Sequence, residues 1–325
     1  MTPEQMNARI VRYGELMPCK TAFIDAHTPG SDSKENFTII GGGVSESPDQ
    51  HVHIGIGHGF NIGAAGQPPK CRNSLHSHRT AEVFFVLSGR WRFFWGRYGN
   101  AGEVVLEEGD IINIPTGIFR GFENIGTDYG MIMAVLGGDD AGGGVIWAPQ
   151  VIEDAANHGL VLGANGKLYD TKKGQTLPEG ISPMPVLTDA ELKAYPEPTT
   201  ADVVPRHVAR YWDMVALGDR KPALVIGENG MLPDKPGFEV HLVTRGSASA
   251  DMHSHDIPSV LMPMRGHWMV KWEAAGETHS AVLNPGDTMS VPEGVMHSAL
   301  PSMTGEASLF HVVATGEGAG PTWKG

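Results

Sequence analysis

The chain has 325 residues, 41% of them apolar and 19% charged, with a formal net charge of −13. That length holds a sizeable core and suggests two domains. The acidic balance and the lack of a basic run argue against nucleic acid or an anionic membrane as partner, and no apolar run reaches the roughly 18 residues of a membrane span. Glycine (43) and proline (23) are abundant, as suits an all-β protein with many turns. Met1-Thr2-Pro3-Glu4-Gln5 has neither the basic nor the apolar region of a secretory signal. Cys19 and Cys71 read as free thiols, so a cytoplasmic location is expected.

Taken in order, residues 4–16 carry Met6, Ile10, Val11 and Leu16 at roughly helical spacing, weakened by Gly14. They predict an arm, 1–30, that packs on a core domain or on a second subunit of a homo-oligomer. Residues 37–62 read as strands broken by glycine; His51 and His53 there lack any later histidine at the matching distance. Two blocks follow, 74–96 and 109–124, and both recur. His76, Gly89, Trp91, Trp95, Gly109 and Asp110 match His253, Gly266, Trp268, Trp272, Gly286 and Asp287; Pro115, Gly117 and Arg120 match Pro292, Gly294 and His297. Every pair has the same offset of 177 positions, which means duplication of a whole domain. The predicted units are 31–149, a Pro-rich connection over 150–205 with short helices, and 206–325. Within the connection, Thr188-Asp189-Ala190-Glu191 has the pattern of a capping box, and 149–158 predicts another short helix stopped near Gly159. The closing strand, S-L-F-H-V-V-A-T-G, leaves open whether His311 points inward or to solvent.

His253-Ser254-His255 carries the chemistry. Two histidines in an H-x-H step share one face of a strand, because strand side chains alternate with period two. His297 arrives after a strand and a Pro-Gly turn. Three neutral imidazoles suit a divalent transition metal: iron, manganese, nickel, copper or zinc. The same period places Met262 and Met264 on one face, as core or as a soft pocket wall with Trp268.

These blocks resemble the cupin superfamily, and their duplication resembles a two-domain cupin, or bicupin. His76, His78, Glu82 and Gly89 fit the family's first motif, and Gly109, Pro115, Gly117 and Asn124 its second. In the second copy His253, His255, Gly266, Gly286, Pro292, Gly294 and His297 fit. The resemblance implies two tandem double-stranded β-helix (jelly-roll) barrels. Each copy departs from the pattern differently. Arg120 stands where the first copy should have a histidine, and Ser259 where the second should have a glutamate. A guanidinium offers no lone pair, so Glu82 and Arg120 are expected to form an ion pair in place of a metal. Two alternatives stay open: a facial triad of His76, His78 and Glu82, or an Arg120 that binds a substrate carboxylate.

With Ser259 a neutral pocket residue, the second copy keeps three histidines. Such a centre resembles those of the gentisate, diketone and thiol dioxygenase branches; the quercetin dioxygenase and oxalate decarboxylase branches keep the glutamate. The resemblance implies an Fe(II) dioxygenase acting on a small aromatic or enolisable substrate. The other readings are a redox-neutral metal-dependent lyase, isomerase or decarboxylase, and a bicupin that binds a small molecule without chemistry.

Overall fold

Strand patterning follows burial. Phe238–Thr244 alternates buried and half-buried residues along its length, the signature of a sheet with one covered face. Ser259–Arg265 and Ser308–Ala314 are buried almost throughout, because both of their faces are covered. The structure, a computed structural model, describes residues 1–138, 144–316 and 320–324.

Two two-sheet barrels result. The first pairs a seven-stranded sheet, which contains Glu82–Ser88 and Gly130–Gly137, with a five-stranded sheet containing Arg72–Ser77 and Arg120–Asn124. The second pairs a six-stranded sheet containing Ser259–Arg265 and Ser308–Ala314 with a five-stranded sheet containing His253–Ser254 and His297–Pro301. The larger sheets face each other. Val83, Phe85, Met131 and Met133 of the first half share one apolar core with Val260, Met262, Met264 and Phe310 of the second. Ring centroids of Phe85 and Phe310 lie 4.7 Å apart. Burial on this scale makes the two halves one cooperative core.

Each barrel borrows a short strand from the other half. Ile10–Val11 adds to the second barrel through Thr288–Val291, and Val208–Ala209 adds to the first through Ile111–Asn113. The expected helix over 4–16 is therefore corrected. It runs only over Pro3–Asn7, because the β-branched pair Ile10-Val11 spends its backbone hydrogen bonds on a sheet edge. Two equivalent clasps lock the exchange. Tyr13 N donates to Asp287 Oδ1 at 2.9 Å and Arg12 Nη1 to Asp287 Oδ2 at 2.7 Å. Tyr211 N donates to Asp110 Oδ1 at 2.9 Å and Arg210 Nη1 to Asp110 Oδ2 at 2.6 Å. Gly109 and Gly286 precede these aspartates with φ of 88° and 86°, and a side chain at either would collide with the ring of Tyr211 or Tyr13.

Asp110→Ala and Asp287→Ala should each lower the unfolding free energy by about 2 kcal/mol, because buried backbone donors lose their acceptor. The two effects should add, since the sites are separate. Urea denaturation reads this; changes smaller than about 0.5 kcal/mol would mean that the clasps contribute nothing.

The connection carries the expected helices. Pro149–Asn157 ends at His158 before Gly159, and Asp189–Lys193 is capped by Thr188 with Glu191 closing the box. Between them the Leu160–Leu162 and Leu168–Asp170 hairpin packs beside Ile24 and Ala26. Among the described residues no helix is long and apolar enough to cross a membrane. Both cysteines are free and buried.

Candidate metal centres

In the first barrel His76 is next to last in the strand Arg72–Ser77, Glu82 opens the next, and Arg120 lies opposite His76 in register. Arg120 Nε donates to Glu82 Oε2 at 2.9 Å, its Nη2 reaches the same oxygen, and its Nη1 donates to His76 O at 2.8 Å. The guanidinium is 1% exposed and Glu82 4%. Burial lowers the Arg120 pKa, and the adjoining carboxylate pulls it back up. His78 Nε2 sits 3.5 Å from Glu82 Oε1. His76 Nδ1 donates to Ser74 O at 2.7 Å, which leaves Nε2 as its lone-pair nitrogen. Burial, then the Arg120 charge, holds His76 well below the usual imidazole range and His78 at about 4. Both are neutral at pH 7. Among the described residues, His76, His78 and Glu82 form the group whose donor atoms all lie within 4.8 Å of one another. The space beside them is small, about 70 Å³, with Phe23, Val44 and Gln50 among its walls.

The second barrel differs in space and in charge. His253 and His297 lie opposite each other in register, their rings 4.4 Å apart. His255 is 5.3 Å from His253 and 6.2 Å from His297. These three are gathered less tightly than the first group. His297 Nδ1 donates to Val295 O at 2.9 Å, so Nε2 carries the lone pair, and it is buried without a hydrogen-bond partner among the described residues. Burial, then neighbouring imidazoles, lowers the His253 pKa to about 4 and the His297 pKa to about 3. A cavity of about 530 Å³ opens beside them, walled by Leu261, Ala299, Leu309 and Val313, with Pro321 and Trp323 at its edge. Trp323 lies 4.9 Å from His253, as Trp147 lies 5.3 Å from His76.

Several expected pocket residues are corrected. Met262 and Met264 do not line this cavity. They point the other way, into the core shared by the two halves, because strand side chains alternate and the preceding Leu261 faces the cavity. Trp268 packs with Met6, Leu283 and Met289, its indole nitrogen donating to Arg265 O at 3.1 Å. Ser259 is 1% exposed and outside the cavity lining, its hydroxyl without a partner among the described residues. His51 and His53 lie elsewhere; His53 Nδ1 donates to Thr38 O at 2.8 Å.

Three cavity residues went unassigned in the sequence. His311 lines the cavity 5.3 Å from His255 and 6.3 Å from His297. Glu239 and His241 also line it, with His241 Nε2 3.1 Å from Glu239 Oε2. The alternation of Phe238–Thr244 puts 239 and 241 on one face, a signal that was present in the sequence.

A cupin-domain family model matches residues 66–136. Acireductone dioxygenases of Geobacillus kaustophilus (strain HTA426) and Geobacillus thermodenitrificans (strain NG80-2) are each 30% identical over 151 residues, which is 46% of this chain and 75% of theirs. Among solved structures, a mutant of Bacillus subtilis oxalate decarboxylase superposes with a TM-score of 0.54 at 13% identity, covering 97% of this chain and 79% of that one. The formate complex of Lactobacillus farciminis oxalate decarboxylase gives 0.55 at 13%, covering 97% and 88%. At that identity the likeness concerns the fold. With the tandem barrels and duplicated motifs, these matches place the chain in the cupin superfamily, as a bicupin. These relatives and structural neighbours are dioxygenases and decarboxylases.

Proposed function

We propose that this chain is a metal-dependent oxygenase whose reactive centre is the second barrel, where His253, His255 and His297 hold a divalent transition metal, Fe(II) foremost. The contrast between the barrels carries the reading. The first fills its interior with a guanidinium and leaves about 70 Å³; the second keeps His255 and His297 buried and His253 half-buried beside about 530 Å³. The larger volume lies in the range of small-molecule sites. Similarity to acireductone dioxygenases supports an enolisable substrate. The orphaned Nε2 of His297 and the all-imidazole donor set fit iron, manganese, nickel, copper or zinc.

The bound ion would supply electron transfer to dioxygen or Lewis acidity. The protein supplies the rest. Leu261, Leu309 and Val313 exclude water from one wall, and Val295 O fixes the His297 tautomer. Glu239 orients His241, which can take or return a substrate proton. That pair also favours a second reading, a redox-neutral lyase or decarboxylase, because a base is then available without a glutamate at 259.

Two measurements test the proposal. His297→Ala should cut metal content at least tenfold, as expected for loss of one ligand, while His76→Ala leaves it unchanged. The reverse pattern moves the centre to the first barrel. The Fe(II)-loaded protein should consume oxygen with an acireductone, an enolisable diketone or a catechol; turnover without oxygen uptake selects the redox-neutral reading.

A further inference from the structure

The two barrels exchange a polar ligand type between two diagonal positions on adjacent strands. In the first, Glu82 lies opposite Leu136 and Phe84 opposite Ala134. In the second, Ser259 lies opposite Val313 and Leu261 opposite His311. These are the same four positions, all at the offset of 177. Glu82, Phe84, Ala134 and Leu136 line the first cavity, and Leu261, His311 and Val313 line the second. Where the first barrel has a carboxylate and an alanine, the second has a serine and a histidine. Ser259 and His311 are diagonal neighbours on adjacent strands, a separation of roughly 7–8 Å that a long side chain spans.

His311 is 9% exposed, and its Nε2 is buried without a hydrogen-bond partner among the described residues. Burying an imidazole nitrogen without a partner is costly. Within the cavity its ring lies 5.3–6.4 Å from those of His253, His255 and His297. Burial, then these imidazoles, holds it neutral at pH 7.

From this juxtaposition we infer that His311 is a fourth metal ligand, which replaces from the neighbouring strand the carboxylate lost at Ser259. The inference rests on the proposed centre at His253, His255 and His297. It gives that centre four neutral donors instead of three and a carboxylate. The bound divalent ion then keeps its full charge, so the site takes small anionic oxygen ligands, enolates and carboxylates, more strongly than a glutamate-bearing centre does.

The test uses Co(II) alone as probe on the full chain. Metal-edge X-ray absorption of the Co(II)-loaded unmodified protein counts imidazoles from their multiple scattering; four support the inference and three overturn it. In parallel, His311→Ala should weaken Co(II) binding about 10–100-fold with an unchanged far-UV spectrum, and adding Ser259→Glu to that variant should restore most of the loss. Weakening in His297→Ala with none in His311→Ala overturns the role of His311 and leaves the proposed centre standing. No weakening in either overturns both.

Discussion

Arg120→Ala should destabilise the protein by about 3–5 kcal/mol, the cost of leaving a buried carboxylate without its cation. Glu82 is 4% exposed and receives two guanidinium hydrogen bonds; the third Arg120 donor satisfies His76 O. Removing the guanidinium strands both acceptors in the barrel interior without a cation. Replacing both partners, Glu82→Leu with Arg120→Met, should recover most of the loss, because a well-packed apolar pair avoids the desolvation that the ion pair offsets. Arg120→His should behave differently again. It frees Glu82 and adds an imidazole to His76 and His78, so the variant should bind a further equivalent of Co(II) or Zn(II). Urea melts and metal analysis read these outcomes. A loss under 1 kcal/mol for Arg120→Ala would show that Glu82 takes up a proton or a water at little cost, and the ion pair would lose its structural role.

That pair was legible in the sequence because the motif spacing fixes which strand ends face the barrel interior. The same spacing carried the duplication, since turn glycines and prolines repeat at a constant offset. What stayed illegible followed from a changed offset or from two-sided burial. Arg12-Tyr13 and Arg210-Tyr211 perform identical clasps, yet they are 198 positions apart, so a search at 177 misses them. The direction of His311 was undecidable because every residue of Ser308–Ala314 is buried, which erases the alternation that marks a face. Only the register opposite Leu261 resolves it. Met262 and Met264 were rightly placed together on one face. Parity from Ser259, at the position of inward Glu82, would have turned that face toward the other half.

Acidification should unfold the metal-free protein between about pH 6.5 and 4, and bound metal should delay it. His76 and His311 are held well below the ordinary imidazole pKa, His78 at about 4 and His297 at about 3, each chiefly by burial. Their folded values lie below the unfolded value of about 6.5. Below that pH the unfolded chain binds more protons than the folded one, so stability falls as pH falls and levels off only near the folded pKa. At pH 5 His78 and His297 each forfeit about 2 kcal/mol, and His76 and His311, shifted in the same direction, add to a loss that is a large share of the stability of a typical domain. Glu46 works in the opposite sense. Its pKa, raised to about 7 by burial, means that the folded state gains a proton first, which offsets roughly one imidazole's share. Bound metal requires neutral imidazoles and stabilises only the folded state. Added Zn(II) should therefore move the midpoint of the acid transition down by about half a pH unit or more. A melting temperature flat from pH 7 to 4.5 would mean that these rings are solvated in both states. An acid transition that ignores Zn(II) in the unmodified protein, yet shifts with it in Arg120→His, would place the affinity for metal in the first barrel's geometry and not in the second's.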